Sequence, residues 1–205
     1  MNLVRFGARE LAPSKVVCIG RNYAEHISEL GSEFPDDPVI FIKPNSAISD
    51  QVAVGPDVLH YEGEICFLLE RGTFAGIGFG LDLTRRVVQS RLKEKGLPWE
   101  RAKAFDGAAI FSAFVPLEAK VEDLRLSLMI DGAQVQAGGV DQMIYGPEDL
   151  LREIQSTFTL EDGDVLMSGT PKGVGEIRAG SEFVGRVYAG DRLLVEGRWI
   201  ARTYD

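Results

Sequence analysis

The stretch Ile65–Leu69, Ile-Cys-Phe-Leu-Leu, constrains the fold more than any other in the chain. Side chains alternate across an extended strand, so a run that is apolar at every position is the pattern of a strand covered on both sides. Yet this run is entered through Glu62-Gly63-Glu64. On an extended chain those two carboxylates point the same way, roughly 7 Å apart. Like charges that close repel, and burial raises the cost. Either the pair sits at a solvated strand edge or something positive lies between them.

Asp82 supplies a third carboxylate, in the apolar and glycine-rich Gly78-Phe79-Gly80-Leu81-Asp82 just before a helical pattern. Taken alone it reads as a helix N-terminal acid stabilised by the dipole. Taken with Glu62 and Glu64 it suits a hard, oxygen-loving ion, because the chain has no cysteine cluster and only two histidines. Mg²⁺ or Mn²⁺ is favoured, Ca²⁺ is possible, and structural zinc is disfavoured. One of the histidines, His26, lies three residues before Glu29, on one helix face. It is either a helical histidine beside a carboxylate or a base oriented by that carboxylate. Lys43 and Lys103 stand in apolar surroundings, where an ammonium needs an anionic partner or must snorkel. Ser168–Gly175 has the look of a phosphate loop but lacks its Gly-Lys-Ser/Thr ending, so nucleotide binding is not expected.

A chain of 205 residues suffices for one substantial domain, and the absence of repeats or low-complexity linkers favours a single domain over 1–205. Lys15–Gly20 and Pro38–Pro44 read as strands, and Leu124–Gly138 as a hairpin turning at Asp131-Gly132. Three helices are expected. Tyr23–Leu30 would be capped by Asn22 with Glu25 as its partner and stopped by Gly31; Leu83–Gly96 would be capped by Thr84; Pro147–Phe158 would carry proline at N1. Helices inserted singly among more numerous strands indicate an α+β fold that is predominantly β. Cys18 and Cys66 both lie in apolar runs and read as buried thiols, which fits a reducing, cytoplasmic setting. No run of about 18 apolar residues predicts a membrane span, and no secretory leader is expected. The net charge of −9 argues against a general nucleic-acid binder.

Taken together, Gly20–His26, "FIKP", "HYEGEI", "LDLT", "GLPWERAKAFDGAA" and "GDVLMSGTPKGVG" appear in an order that resembles the fumarylacetoacetate hydrolase family. The likeness is to its short members, which act as acylpyruvate hydrolases or oxaloacetate decarboxylases. The resemblance implies a mixed β-sandwich roll, a homodimer, a Mg²⁺ or Mn²⁺ ion held by Glu62, Glu64 and Asp82, and a small keto-acid substrate. It also implies that His26 and Glu29 form a base and its partner on a lid helix, and that Lys103 is the active-site lysine. Arg21, Lys43, Gln89 and Thr170 would line the substrate pocket. The primary expectation is metal-dependent cleavage of an acylpyruvate C–C bond, with oxaloacetate decarboxylation or keto–enol interconversion as the alternative and non-catalytic keto-acid binding as a further one. The chain departs from the family in two places. The link from Glu64 to Asp82 is shorter, and Val87 stands where the family pattern ends in an acid.

Overall fold

The computed structural model describes residues 1–29 and 35–203. Strands dominate among the described residues, with four short α-helices, two set singly between strands and two, Arg86–Glu94 and Glu100–Lys103, in succession, as expected for an α+β chain. The largest sheet runs in the order Val39–Pro44, Lys15–Gly20, Val165–Met167, Gly63–Glu70, Thr73–Asp82, Ala109–Phe111, Ile48–Ser49. The Ile65–Leu69 segment therefore lies in the middle of the sheet, and all five residues are buried. Ile65 and Phe67 face a core that includes Leu126, Leu128, Phe183 and Val187 of a second, four-stranded antiparallel sheet. Cys66 and Leu68 face the opposite core, with Phe6, Phe114 and Met167. A strand apolar on both faces has thus found cover on both.

The neighbouring strand, Thr73–Asp82, solves a packing problem in its sequence. Ile77, Phe79 and Leu81 alternate with Gly76, Gly78 and Gly80. The glycines leave room on the second face for large neighbours: a Cβ on Gly80 would lie 2.5 Å from the Cys66 Sγ, and one on Gly78 2.8 Å from the Phe114 ring. Both cysteines are free and buried. The two strands are joined by Arg71-Gly72, both at positive φ (51° and 73°), the backbone required by a two-residue hairpin turn. This tight turn accounts for the shortened link. Antiparallel pairing then places Gly63 opposite Leu81, and the Asp82 N–H donates to the Glu62 carbonyl at 2.8 Å. Shortening the hairpin at its far end leaves its acidic end in register.

The hairpin at Asp131-Gly132 is present, with φ of 50° and 81°, and the last long helix spans Pro147–Thr157 with proline in its first turn. Two expected caps are absent. Thr84 belongs to a short strand, the second helix spans Arg86–Glu94 with no side-chain cap, and Thr84 instead accepts a hydrogen bond from Lys103. Asn22 does not spend its amide on the helix Ala24–Glu29. It donates to the Tyr145 and Ser168 carbonyls and accepts from the Tyr145 N–H, tying three segments together. Leu30 and Gly31, expected to end that helix, lie outside the described residues. Gly96 does end the second helix, at φ +60°. No helix among the described residues is long and apolar enough to cross a membrane.

Candidate metal centre

Glu62, Glu64 and Asp82 converge at the end of the central hairpin. Each offers a carboxylate oxygen, and the three oxygens lie within 4.8 Å of one another. All three side chains are buried. The convergence follows from strand geometry: Glu62 and Glu64 share a face by alternation, and Asp82 comes across from Glu62 by pairing.

The acids are unequally balanced. Lys103, at the end of the short helix Glu100–Lys103, places its ammonium between two of them, 2.8 Å from Glu62 Oε2 and 2.7 Å from Asp82 Oδ2. Lys43 reaches Asp82 Oδ1 at 2.8 Å and also donates to the Lys103 carbonyl. Arg86 reaches Glu62 Oε1 at 2.5 Å. Among the described residues Glu64 has no cation; its Oε2 accepts the Gly169 N–H at 2.8 Å. The protonation behaviour follows this division. Burial works against ionising Glu62, but Lys103 and Arg86 hold its carboxyl well below the usual range. Burial pushes Glu64 well up, and the charges of Asp82 and Glu62 push it further. Burial likewise disfavours the charged form of Lys103, yet Asp82 and Glu62 raise its pKa. A buried carboxylate facing two others, with no cation of its own among the described residues, is a donor set suited to a hard divalent ion.

His26 is 5% exposed on the helix Ala24–Glu29. Its Nδ1 lies 3.2 Å from Glu29 Oε2, and Glu29 in turn accepts the Gly173 N–H at 3.1 Å. A carboxylate at Nδ1 requires the proton there, leaving the Nε2 lone pair available. Burial lowers the His26 pKa, outweighing the pull of Glu62 and Glu29, so the ring is neutral at neutral pH.

The segment Ser168–Gly173 is what joins these parts. Gly169, at φ +101°, packs so closely on Asn22 that a Cβ would sit 2.8 Å from the Asn22 Cβ, while its N–H serves Glu64. Thr170 donates to the Gly63 carbonyl at 2.9 Å, and Gly173 holds Glu29. Sequence reasoning set this segment beside phosphate loops; here its backbone straps the His26 helix to the acids. The structure brings Glu62, Glu64, Asp82, Lys43 and Lys103 into one cluster. Gln89 is buried next to it and accepts a hydrogen bond from Arg86 at 2.8 Å. Arg21 follows the strand Lys15–Gly20 at φ +58°, adjoining Asn22. Two residues of the site were missed. Arg86 carries a sequence signal, the second arginine after "LDLT". Gln136 carries none, yet it is buried, accepts from the Gly63 N–H and donates to Thr170 Oγ1, both at 2.9 Å. Val87 is 72% exposed, so the departure at that position faces solvent.

A curled sheet whose central hairpin ends in three buried acids, overlooked by a histidine–glutamate pair, defines an enzyme of the fumarylacetoacetate hydrolase class. The chain belongs to this family: the family model described as Fumarylacetoacetate (FAA) hydrolase C-terminal matches residues 15–202. It is 41% identical over 189 residues to oxaloacetate tautomerase YcgM of Escherichia coli (strain K12), covering 83% of this chain and 86% of that protein. It is 36% identical over 187 residues to the mitochondrial oxaloacetate decarboxylase of Dictyostelium discoideum, covering 81% and 85%. The fold is similar to that of fumarylpyruvate hydrolase from Pseudomonas aeruginosa in complex with Mn²⁺ and pyruvate, with a TM-score of 0.89 and 28% identity over 99% of this chain and 96% of that one.

Proposed function

We propose that this enzyme interconverts the keto and enol forms of oxaloacetate at a Mg²⁺ or Mn²⁺ ion held by Glu62, Glu64 and Asp82. One observation carries the proposal: a buried imidazole, neutral at neutral pH and engaged at Nδ1 by Glu29, stands near three clustered acids, one of which has no cation among the described residues. When bound, the ion would accept the substrate's carboxylate and 2-oxo oxygens and withdraw electron density from C2. In the keto-to-enol direction His26 Nε2 takes the proton from C3 and hands one to the C2 oxygen. In the enol-to-keto direction it takes the proton from that oxygen and gives one to C3, while Glu29 holds the ring in the required tautomer. Lys103 contributes positive charge near the oxygen on which charge develops, and Lys43 and Arg86 keep Asp82 and Glu62 in place.

Keto–enol exchange needs a proton carrier and an electron sink and no attacking water. The E. coli relative named an oxaloacetate tautomerase supports this reading over acylpyruvate hydrolysis, which sequence reasoning had placed first. Hydrolysis stands second, supported by the neighbour named a fumarylpyruvate hydrolase. Decarboxylation would use the same metal and Lys103 without His26. The test follows loss of enol absorbance with Mg²⁺ and with EDTA, alongside pyruvate release from oxaloacetate and cleavage of acetylpyruvate by the same preparation. Mg²⁺-dependent acceleration of the enol–keto step beyond the other two is expected. Acetylpyruvate cleavage that outruns it would replace the proposal with the hydrolase reading.

A further inference from the structure

The helix Arg86–Glu94 turns one stripe toward the acids, and that stripe holds a third polar side chain. Arg86 and Gln89 are hydrogen-bonded three residues apart, and Lys93 lies four beyond Gln89 on the same face. The Lys93 ammonium sits over the Trp99 ring, 5.0 Å from its centroid. Trp99 leans on Phe41, with centroids 5.8 Å apart, and the Lys103 ammonium is 5.2 Å from the Phe41 ring. Trp99 also closes on Gly20, where an added Cβ would lie 3.4 Å from the indole, so this wall adjoins Arg21. Lys93 therefore stands at one end of an aromatic wall whose other end is Lys103, the lysine between two of the acids.

Among the described residues the Lys93 ammonium forms no ion pair, and it lies over the face of a neutral indole. Burial, with Arg21 and Arg86 adding to it, brings its pKa down to about 8 against the pull of Glu62. A half-buried ammonium set among other cations gains little for the fold, since neither its lost hydration nor the repulsion is returned. An anion placed there would return both. An indole face beneath the ammonium would further favour its charged form.

We propose that Lys93 receives the second carboxylate of the substrate, so that the site selects keto acids with an acid group at the end remote from the metal. The proposal rests on the oxaloacetate reading above and adds to it the residue that receives the carboxylate remote from the metal. It makes Lys93 a specificity residue, separate from the proton transfer assigned to His26.

The test uses a pair of unreactive ligands that chelate alike and differ only at the remote end: malate and lactate of the same configuration. Their binding to the full, Mg²⁺-loaded chain is measured by calorimetry. The wild-type protein is expected to prefer malate by about 10- to 100-fold, the usual worth of a well-placed charge pair. Lys93→Met and Lys93→Gln should abolish that preference while changing lactate affinity less than about twofold, and Lys93→Arg should retain most of it. A preference that survives in Lys93→Met, or a parallel loss for both ligands, would overturn the proposal. So would a wild-type protein that binds malate no better than lactate, whatever its chemistry. Malate selectivity dependent on Lys93 in a protein that leaves the enol–keto exchange unaccelerated would keep the receptor and remove the tautomerase.

Discussion

Replacing Glu64 by glutamine removes a charge and almost no volume, which separates metal binding from folding. Glu64 is 1% exposed, and among the described residues its carboxylate accepts the Gly169 N–H. Burial, Asp82 and Glu62 push its carboxyl well up, which favours the neutral form of this side chain in the metal-free protein. Glutamine keeps that shape and can still accept from Gly169, so the metal-free variant should melt no lower than the wild type. With metal the outcome reverses. A ligand present at 100 times its Kd stabilises a protein by about 2.7 kcal/mol. For a chain of 205 residues each kcal/mol moves Tm by about 2–4 °C, so Mg²⁺ at that excess should raise the wild-type Tm by about 5–11 °C. If loss of one of three ligands weakens binding about 100-fold, the same Mg²⁺ stabilises the variant by only about 0.4 kcal/mol, about 1 °C. Scanning calorimetry of both proteins in EDTA and in Mg²⁺ decides the matter. An equal Mg²⁺ shift would remove Glu64 from the ligand set. A metal-free variant melting several degrees below wild type would refute the claim that the uncancelled acid is a burden on the empty fold.

His26→Ala should lower the rate of enol–keto exchange by about 10²–10⁴-fold while leaving the Mg²⁺-induced Tm shift intact; stopped-flow kinetics showing less than about a threefold loss would exclude it as the proton carrier. Because burial lowers its pKa, His26 stays a base at neutral pH, and kcat/KM should fall only as pH drops below the ordinary imidazole value of about 6.5. An acidic limb already evident above pH 7 would contradict that assignment. At the other end of the sheet, Asp164 is fully buried and accepts from the N–H groups of Ser14, Lys15 and Glu161, the Ser14 hydroxyl and the Lys15 ammonium. Asp164→Ala should cost about 2–4 kcal/mol in urea unfolding. Burial opposes its ionisation, but these donors hold its carboxyl below the ordinary value, so its contribution is present above about pH 4 and is lost as pH falls through the lower folded value. A wild-type acid transition unchanged in the variant would argue against it.

What the sequence determined by itself is local and periodic. Alternation identified Ile65–Leu69 as a strand buried on both faces, put Glu62 and Glu64 on one side, and Asp131-Gly132 marked a turn, because these follow from backbone geometry within a few residues. The order of motifs carried the family and, with it, the roles expected of Asp82, His26, Glu29 and Lys103. The tertiary structure decided which partners the buried polar groups take. Asn22 and Thr84 are good local caps, yet Tyr145, Ser168 and Lys103 claim them, because a buried donor or acceptor must be satisfied by whatever the packing brings near. The balance among Lys43, Lys103, Arg86 and the three acids depends on residues from several strands and helices meeting at one end of a sheet. Ser168–Gly173 has a sequence that says only glycine-rich turn; it becomes a strap because the parallel pairing of Val165–Met167 with Lys15–Gly20 delivers it between Glu64 and the His26 helix. Periodicity is a property of one segment, whereas a partner is a property of two, and the second segment lies up to 150 residues away in the chain.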